Sequence, residues 1–331
     1  MIIEARAYAR AGFLGNPSDG YYGKTISISV RNFGAHVSLY ESPELCIEPQ
    51  EQDVNVYRNI HHMIESINLH GYYGGDRLIK AAIKKFFQYC QQKGLKPENK
   101  NFTIRYHSTI PRQVGLAGSS AIITATMRAL LKFFDIKIPI EILPSLILAA
   151  EIEELGINAG LQDRVVQVYE GCVYMNFNKK ELQSKNHGVY ERLDPQLLPK
   201  LYIAYKTELG KVSGHTLNTI KIKYERGDTE VISTLNRIAE IAEQGKKALL
   251  EGDLKLLNQL INENFDQRKK IMEISDDNIK MIRTARECGA SAKFAGSGGS
   301  IIGIYKDDEM LNHLKVELNK IKARVIKPYI S

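Results

Sequence analysis

The stretch from Pro111 to Ala121, PRQVGLAGSSA, has a composition that suits phosphate binding. Gly115 and Gly118 let backbone amides approach a ligand, because no Cβ stands in the way. Ser119 and Ser120 can cap the helical pattern that follows, whose free N–H groups and dipole favour an anion. A serine hydroxyl at this place can also reach a magnesium ion. The loop does not end in Gly-Lys-Ser/Thr, so it is not of the Walker A type, and a glycine loop before a well-capped helix is the purely structural alternative.

The elements around this loop are strands and helices in a mixed order. The pattern predicts a strand just before the loop and a helix just after it. We predict strands at 2–8, 25–30, 35–40, 101–107 and 171–177, and helices at 76–93, 119–134 and 144–155. The stretch at residues 12–24, rich in Gly, Asn, Pro, Ser and Asp, is long for a hairpin turn, and ordered loops of that length are often functional.

The second part of the chain has a different pattern, because a long helical region follows a single strand. We predict a strand at 201–206 and helices over 213–288, with breaks near Gly227, Gly252 and Asp276. The final strand, glycine loop, strand, helix and strand are predicted at 291–294, 295–299, 300–305, 307–321 and 323–327. The sequence therefore predicts an α+β fold in two domains, residues 1–197 and 198–331.

The bulk composition excludes several classes of protein. The 331 residues are 44% apolar and carry a formal charge of +7, which is typical of a globular chain that handles polyanions. The 4 cysteines are widely dispersed, so neither a zinc site nor a disulfide framework is indicated. Neither a signal-peptide pattern nor an apolar run of about 20 residues is visible, so we expect a cytoplasmic protein that makes no membrane contact. Short basic runs such as Arg268-Lys269-Lys270 are interpreted as solvated helix faces.

Three segments resemble the signatures of the GHMP kinases, a superfamily named for galacto-, homoserine, mevalonate and phosphomevalonate kinases. Residues 111–121 are similar to the second signature, Pro-x-x-x-Gly-Leu-x-x-Ser-Ser-Ala. Residues 10–19 (RAGFLGNPSD) resemble the N-terminal signature, and residues 293–300 (KFAGSGGS) resemble the C-terminal one. The order along the chain is that of the family. One departure is that galactokinases have Gly-Glu-His-x-Asp where this chain has Gly-Asn-Pro-Ser-Asp.

Further pieces resemble plant-type glucuronokinases, and they extend from the start of the chain to near its end. These pieces are residues 6–12, 14–19, 21–27, 71–75, 110–113, 159–165 and 293–299. The resemblance implies a GHMP kinase fold, with an N-terminal domain like ribosomal protein S5 domain 2 and a ferredoxin-like C-terminal domain. It also implies ATP, Mg²⁺ and phosphorylation of D-glucuronate at its anomeric oxygen.

The family's pattern also implies which residues bind ATP and magnesium. The ATP loop would consist of Pro111, Gly115, Leu116, Ala117, Gly118, Ser119, Ser120 and Ala121. Glu151 lies five residues before Gly156, which matches the spacing of the family's magnesium-binding glutamate. Magnesium prefers few carboxylates together with waters and phosphate oxygens, so Glu151 with the hydroxyl of Ser119 or Ser120 would suffice. The structural alternative is a set of solvated acids at a helix end.

The resemblance implies two catalytic residues. Asp163, in Gly-Leu-Gln-Asp-Arg-Val, matches the family's catalytic aspartate, which orients the acceptor hydroxyl and can accept its proton. The alternative is a surface pair between Asp163 and Arg164. Arg10 matches a cation that stabilises charge near the reacting oxygen, and its alternative is a salt bridge at a strand end.

The sugar would lie near the N-terminal loop and the C-terminal glycine loop. The predicted substrate-binding residues are Asp19, Tyr22, Lys24, Tyr73, Arg77, Arg164, Gly296, Ser297 and Gly298. A sugar acid also needs a cation for its carboxylate, and bidentate geometry favours an arginine. The candidates are Arg77, Arg164, Arg112 and Lys24. We expect adenine to contact parts of residues 47–75.

Other functions stay open from the sequence alone. A kinase for galacturonate, galactose, arabinose or a heptose would differ only in the contacts of the sugar pocket. A ligand sensor on the same fold is disfavoured because Asp163, Glu151 and both glycine loops are present. An RNA-binding module is disfavoured because no RNA-binding motif accompanies the positive charge. We expect ATP and a small sugar acid as ligands, no nucleic acid, and a monomer or homodimer.

Overall fold

The computed structural model describes residues 2–49, 74–208 and 215–330. Within them, the first part of the chain forms one mixed sheet. Its strands are β1 (Ile2–Leu14), β2 (Lys24–Glu41), β3 (Cys46–Ile47), β4 (Phe102–Ser108), β5 (Cys172–Asn176) and β6 (Val189–Leu193). The long strand β2 is central, because β1 runs antiparallel to most of it, β4 pairs with its C-terminal half and β5 with its N-terminal half. β3 is parallel to β4, and β6 is antiparallel to β5.

The strands predicted at 25–30 and 35–40 are one continuous strand. Both halves pair with β1, Val30 with Ala9 and Gly34 with Tyr8, and the residues between them form a local irregularity in the pairing, where Arg31 N donates to Tyr329 O at 2.9 Å. β1 is also longer than predicted and continues to Leu14. The predicted long loop is therefore shorter, and its first residues belong to the sheet.

Two helices of the first part of the chain pack directly on this sheet. The helices of the first part are α1 (Gly75–Gln92), α2 (Gly118–Phe133), α3 (Leu143–Ile152), α4 (Leu161–Tyr169) and α5 (Lys179–Lys185). α2 contacts β1, β2 and β4, and α4 contacts β1, β2 and β5. The predicted helices at 76–93, 119–134 and 144–155 are confirmed, each with small shifts at the ends. α4 was not predicted, and it carries Asp163 in its first turn.

The strands of the second sheet are β7 (Leu201–Lys206), β8 (Lys293–Phe294), β9 (Ser300–Ile304) and β10 (Ala323–Ile326). This sheet is antiparallel and has the strand order β10-β7-β9-β8. Helices α6 (His215–Glu225), α7 (Thr229–Glu251), α8 (Leu254–Ile271) and α9 (Asp276–Glu287) lie between β7 and β8, and α10 (Asp308–Lys320) lies between β9 and β10. This is a βαββαβ connection with several helices in its first crossover, which agrees with the ferredoxin-like expectation.

The predicted breaks in the helical region are confirmed and have local causes. Asp228 caps α7, because its side chain accepts hydrogen bonds from the backbone N–H groups of Glu230 and Val231. Gly252 ends the same helix with a φ of 71°, in the left-handed region where glycine is favoured. The sequence therefore encodes the length of α7 at both of its ends.

The two sheets share a continuous hydrophobic core. Leu14 and Ile26 of the first sheet belong to the same buried cluster as Ala242 of α7 and Ile302 of β9. The predicted domain boundary between residues 197 and 198 falls between β6 and β7 and stays a prediction. Among the described residues, no helix has both the length and the apolar character needed to cross a membrane.

Candidate active site

A cleft of about 1000 Å³ is lined by residues from both parts of the chain. The first part contributes Arg10, Asn16, Pro17 and Asp19, the ATP-loop segment and the start of α4. The second part contributes Arg268 of α8, the start of α9 and the loop between β8 and β9. The cleft-lining stretches include residues 108–113, 115–119, 156–160, 162–164 and 296–299. Each of the three signature segments therefore reaches the same cleft.

The ATP loop has the backbone form of an anion-binding site. Gln113, Gly115 and Ala117 have φ values of 56°, 71° and 62°, so alternate residues are left-handed. Alternating right- and left-handed residues turn successive N–H groups toward one point and form an anion-binding concavity. α2 then begins at Gly118, and the N–H groups of its first turn have no partner within the helix.

The prediction that Ser119 and Ser120 cap this helix is wrong. The residue at the cap position is Ala117, and the side chains at the start of α2 accept no capping hydrogen bond. Both serines lie inside the first turn of the helix. Because their side chains do not cap the helix, their hydroxyl groups make other contacts.

Two glycine loops pack backbone against backbone. A Cβ on Gly115 would lie 2.7 Å from Gly298 O, and a Cβ on Gly296 would overlap Gly115 O. Ser300 Oγ donates a hydrogen bond to Val114 O at 2.6 Å and fixes the two loops to each other. Glycine is therefore required at positions 115 and 296 by the opposite loop itself.

Arg10 joins the three signature segments. Its Nε and Nη2 donate to Oδ1 and Oδ2 of Asp163 at 2.5 Å and 2.7 Å. Its Nη1 donates to the carbonyl oxygens of Gly115 and Ala295 at 2.7 Å and 3.2 Å. Only 6% of Arg10 is exposed, so these contacts fix its guanidinium group in one position. The structure thus brings together the two residues that were predicted to be catalytic.

Two carboxyl groups in the cleft have pKa values that shift in opposite directions. Burial raises the pKa of Asp163, but the guanidinium groups of Arg10 and Arg164 outweigh burial and hold that pKa below its ordinary value. Burial, together with the negative charge of Asp163, raises the pKa of Asp19 to about 6. Asp19 Oδ2 accepts one long hydrogen bond, from Gln162 N at 3.4 Å. Asp163 is therefore held as a carboxylate, and Asp19 titrates near neutral pH.

Ser119 and Glu151 form a pair of oxygen groups at the start of α2. Ser119 Oγ donates to Glu151 Oε1 at 2.9 Å, and Glu151 Oε2 accepts from Nε of Arg164 at 2.6 Å and also from its Nη2. Ser120 points elsewhere: it is fully buried, and its Oγ donates to Ala117 O at 3.2 Å. Ser119 lines the cleft, so the geometry favours Ser119 over Ser120 as a metal ligand.

The residues predicted to bind the sugar divide into two groups. Asp19, Arg164, Gly296, Ser297 and Gly298 line the cleft, as does Arg112. Tyr22, Lys24 and Arg77 are not among the described residues that line it. Tyr73 lies outside the described residues, as does most of the segment expected to contact adenine.

The geometry does not support a substrate contact for Tyr22 or Lys24. Lys24 Nζ donates to Glu243 Oε2 at 2.7 Å, in an exposed ion pair between β2 and α7. Tyr22 is 43% exposed at the end of a short 3₁₀ helix, and Lys179 Nζ lies 5.4 Å from the centre of its ring. Contacts on the protein surface therefore explain both side chains.

Sequence reasoning missed two buried cations near the cleft. Lys293 is 1% exposed, and its Nζ donates to Gly12 O at 2.6 Å, to Phe294 O at 2.8 Å and to Asn16 Oδ1. Arg268 is 2% exposed and lines the cleft, so its interpretation as part of a solvated face was wrong. Lys293 is the first residue of the C-terminal signature, and this position was the sequence feature that could have identified it.

Comparison with known proteins shows the family to which the chain belongs. The family described as GHMP kinases N terminal domain matches residues 77–171, and the family described as GHMP kinases C terminal matches residues 246–322. Two Arabidopsis thaliana proteins, probable glucuronokinase 2 and glucuronokinase 1, are 43% and 41% identical to the chain over 91% of its length and 84% of theirs. The structure of Lactococcus lactis galactokinase with galactose has a TM-score of 0.77 at 16% identity, covering 99% of this chain and 93% of that one. The chain belongs to the GHMP kinase family and within it is similar to glucuronokinases.

Proposed function

We propose that this protein transfers the γ-phosphoryl group of ATP to the anomeric oxygen of D-glucuronate and forms glucuronate 1-phosphate. The observation that carries the proposal is the Arg10–Asp163 ion pair, which lies in one cleft with the N-terminus of α2. A phosphate at the helix N-terminus and a hydroxyl group at Asp163 would share this cleft. The identity of 43% and 41% to two glucuronokinases supports the choice of acceptor.

Asp163 would orient the acceptor hydroxyl for attack on the γ-phosphorus. Its lowered pKa keeps it ionised at neutral pH, so it can accept a hydrogen bond from the sugar hydroxyl. The same low pKa makes it a weak base. In the loose transition state of phosphoryl transfer the nucleophile loses its proton late, and positioning contributes more than early proton abstraction. We therefore assign Asp163 mainly to orientation, with proton acceptance completing the step.

Arg10 would hold Asp163 in place and stabilise negative charge that develops near the reacting oxygen. Its contacts to Asp163, Gly115 and Ala295 fix the guanidinium group before any substrate arrives. A preorganised, buried cation stabilises transition-state charge without reorganisation. Asp19, ionised above a pKa of about 6, would accept hydrogen bonds from hydroxyl groups of the sugar.

The donor set at the start of α2 fits a magnesium ion that accompanies ATP. Ser119 Oγ and Glu151 Oε1 lie 2.9 Å apart and supply the hard oxygen ligands that Mg²⁺ prefers. No cluster of three or more His, Cys, Asp or Glu side chains that could hold a metal occurs in the described part of the chain. When bound, Mg²⁺ would neutralise phosphate charge, and Ser119 and Glu151 would hold it.

The proposal is tested by measuring ADP release from MgATP with a panel of acceptors, corrected for release without sugar. The panel contains glucuronate, galacturonate, glucose, galactose, arabinose and a heptose. We expect kcat/KM for glucuronate to exceed that for each other sugar by at least about 10-fold, because the site would recognise both the carboxylate and the pattern of hydroxyl groups. Preference for another sugar would overturn the acceptor and leave a sugar kinase. A protein that binds ATP and phosphorylates none of them would contradict the proposal as a whole.

A further inference from the structure

Arg268 occupies an unusual position for a cation. It lies near the C-terminal end of α8, is 2% exposed and lines the cleft. Its Nη1 donates to Gly296 O at 2.8 Å, and its Nε contacts Met272 Sδ at 2.9 Å. Its guanidinium carbon lies 5.2 Å from the centre of the Phe294 ring. These contacts hold the group firmly, but every one of them is to a neutral partner.

The charge of Arg268 has no counter-charge within ion-pair distance among the described residues. Arg10 has Asp163, and Arg164 has Glu151 and Asp163. The pKa of Arg268 is lowered to about 10, chiefly by burial, while the charge of Asp19 raises it and the charge of Arg10 lowers it. The group is therefore still a cation at neutral pH. A buried, unpaired charge is costly, and such a group is normally compensated by a partner.

The hydrogen bonds of Arg268 leave part of its donor set available. A guanidinium group has five N–H donors, and acceptors within the described residues account for Nε and one position on Nη1. The remaining donors match the fork geometry that binds a carboxylate with two parallel hydrogen bonds. Arg268 also bonds directly to the glycine loop that lies against Gly115, so its position is fixed relative to the ATP loop.

The other cations predicted for this role are less suitable. Arg164 is already paired with Glu151, and Lys24 with Glu243. Arg77 is not among the described residues that line the cleft. Arg112 lines it, but lies within the stretch of the ATP loop, between Pro111 and Gly115, on the side expected to bind phosphates. Arg268 is coupled electrostatically to Asp19, the predicted partner of the sugar hydroxyls.

We propose that Arg268 determines the specificity for a sugar acid, by binding the acceptor's carboxylate as its missing counter-charge. This inference rests on the proposed function, because it takes the acceptor to be a sugar acid. The carboxylate would enter with its charge already matched by a fixed fork of donors. A neutral sugar would leave the cation buried and unpaired, so the same group would both favour the acid and disfavour its neutral analogues.

The test compares glucuronate with glucuronamide, which keeps the hydroxyl pattern and removes the charge, in the full-length enzyme. In the wild type we expect KM for glucuronamide to be on the order of 100-fold higher than for glucuronate. In Arg268→Gln, kcat/KM for glucuronate should fall on the order of 100-fold, while the value for glucuronamide changes less than about 3-fold. Equal KM values for the two ligands in the wild type would overturn the proposal without any variant.

The matched control is Lys269→Gln, which removes the same charge from the next, exposed position of α8. It should leave both kcat/KM values unchanged. If thermal melting shows that Arg268→Gln does not fold, Arg268→Lys carries the test: it keeps the charge, loses the fork, and should raise KM for glucuronate about 10-fold while leaving KM for ATP unchanged.

The outcomes separate the two proposals. A wild type that phosphorylates only neutral sugars contradicts the proposed acceptor and this inference together. A wild type that prefers glucuronate, with an Arg268→Gln variant that keeps the preference, contradicts this inference alone. An equal loss for glucuronate and glucuronamide, carried by kcat, would assign Arg268 to the transferred phosphoryl group and would also overturn the role in carboxylate binding.

Discussion

Replacing Asp19 by asparagine should make the free protein more stable and less active. The pKa of Asp19 rises from 3.8 to about 6 because folding buries its carboxyl group and places it near Asp163. Each pKa unit corresponds to about 1.36 kcal/mol, so keeping Asp19 ionised in the fold costs about 3 kcal/mol. Asparagine has a similar shape and no charge, so it removes this cost.

The effect on stability should depend on pH, and its sign follows from the direction of the shift. Because the pKa of Asp19 is higher in the folded chain than in the unfolded chain, the folded state binds the proton more tightly. Tighter proton binding by Asp19 therefore stabilises the folded state fully below the unfolded pKa of 3.8, and this stabilisation is lost as the pH rises through about 6. The advantage of Asp19→Asn over the wild type should therefore be about 2 kcal/mol larger at about pH 8 than at about pH 4.5.

The assay is urea denaturation of both proteins, without ligands, at the two pH values. The informative quantity is how much the stability difference between Asp19→Asn and the wild type changes from one pH value to the other. A change in hydrogen bonding by the new amide that is the same at both pH values cancels from this quantity. At the higher pH the thermal midpoint of Asp19→Asn should also exceed that of the wild type, by roughly 5 °C. Glu273→Gln is the matched control, since it makes the same change from carboxyl to amide at an exposed position in the loop after α8.

The activity of Asp19→Asn should be lower than that of the wild type, although its stability should be higher. If Asp19 accepts hydrogen bonds from the sugar, kcat/KM for the sugar should fall in Asp19→Asn at the higher pH, and in the wild type it should fall as the pH drops below about 6. The reasoning is refuted if the stability difference between Asp19→Asn and the wild type is the same at both pH values. It is also refuted if the variant loses stability relative to the wild type as the pH rises.

Two further predictions concern the chemistry of the cleft. Asp163→Asn cannot keep the two-pronged ion pair with Arg10, so kcat for ADP release should fall about 10³-fold while KM for ATP changes little; near-normal turnover would remove Asp163 from the mechanism. Ser119→Ala should raise the free Mg²⁺ concentration needed for half-maximal activity about 10-fold, and Ser120→Ala should not, because the Ser120 hydroxyl faces Ala117. Equal responses of the two serine variants would contradict the assignment of Ser119.

The parts of the site that the sequence predicted are those that local patterns encode. A loop with Gly115 and Gly118 before an apolar helix must place free N–H groups at the end of the loop, whatever the rest of the chain does. The breaks near Gly227 and Gly252 are local in the same way. Asp163 and Arg10 were identified from the resemblance of their segments to a family, although their contact joins residues far apart in the chain.

The parts that the sequence did not predict depend on tertiary contacts. Arg268 belongs to a basic run, and such runs are usually solvated. It also follows Ile261 and Phe265 at helical spacing, which places it on the buried stripe of α8, and that pattern was the available signal. Which serine faces Glu151 depends on the rotation of α2 against α3. A change of one residue in that rotation would exchange Ser119 and Ser120.

The contact between the two glycine loops limits how the acceptor specificity of this enzyme can evolve. A side chain on Gly115 would collide with Gly298 O, and a side chain on Gly296 would collide with Gly115 O, so neither position can acquire a new substrate contact by a single replacement. Mutations that change the preferred acceptor must therefore affect the side chains around the loops, such as Asp19, Arg112 and Arg268, which line the cleft. A library that varies those three positions and leaves the glycines intact is the natural starting point for directing this enzyme to another sugar.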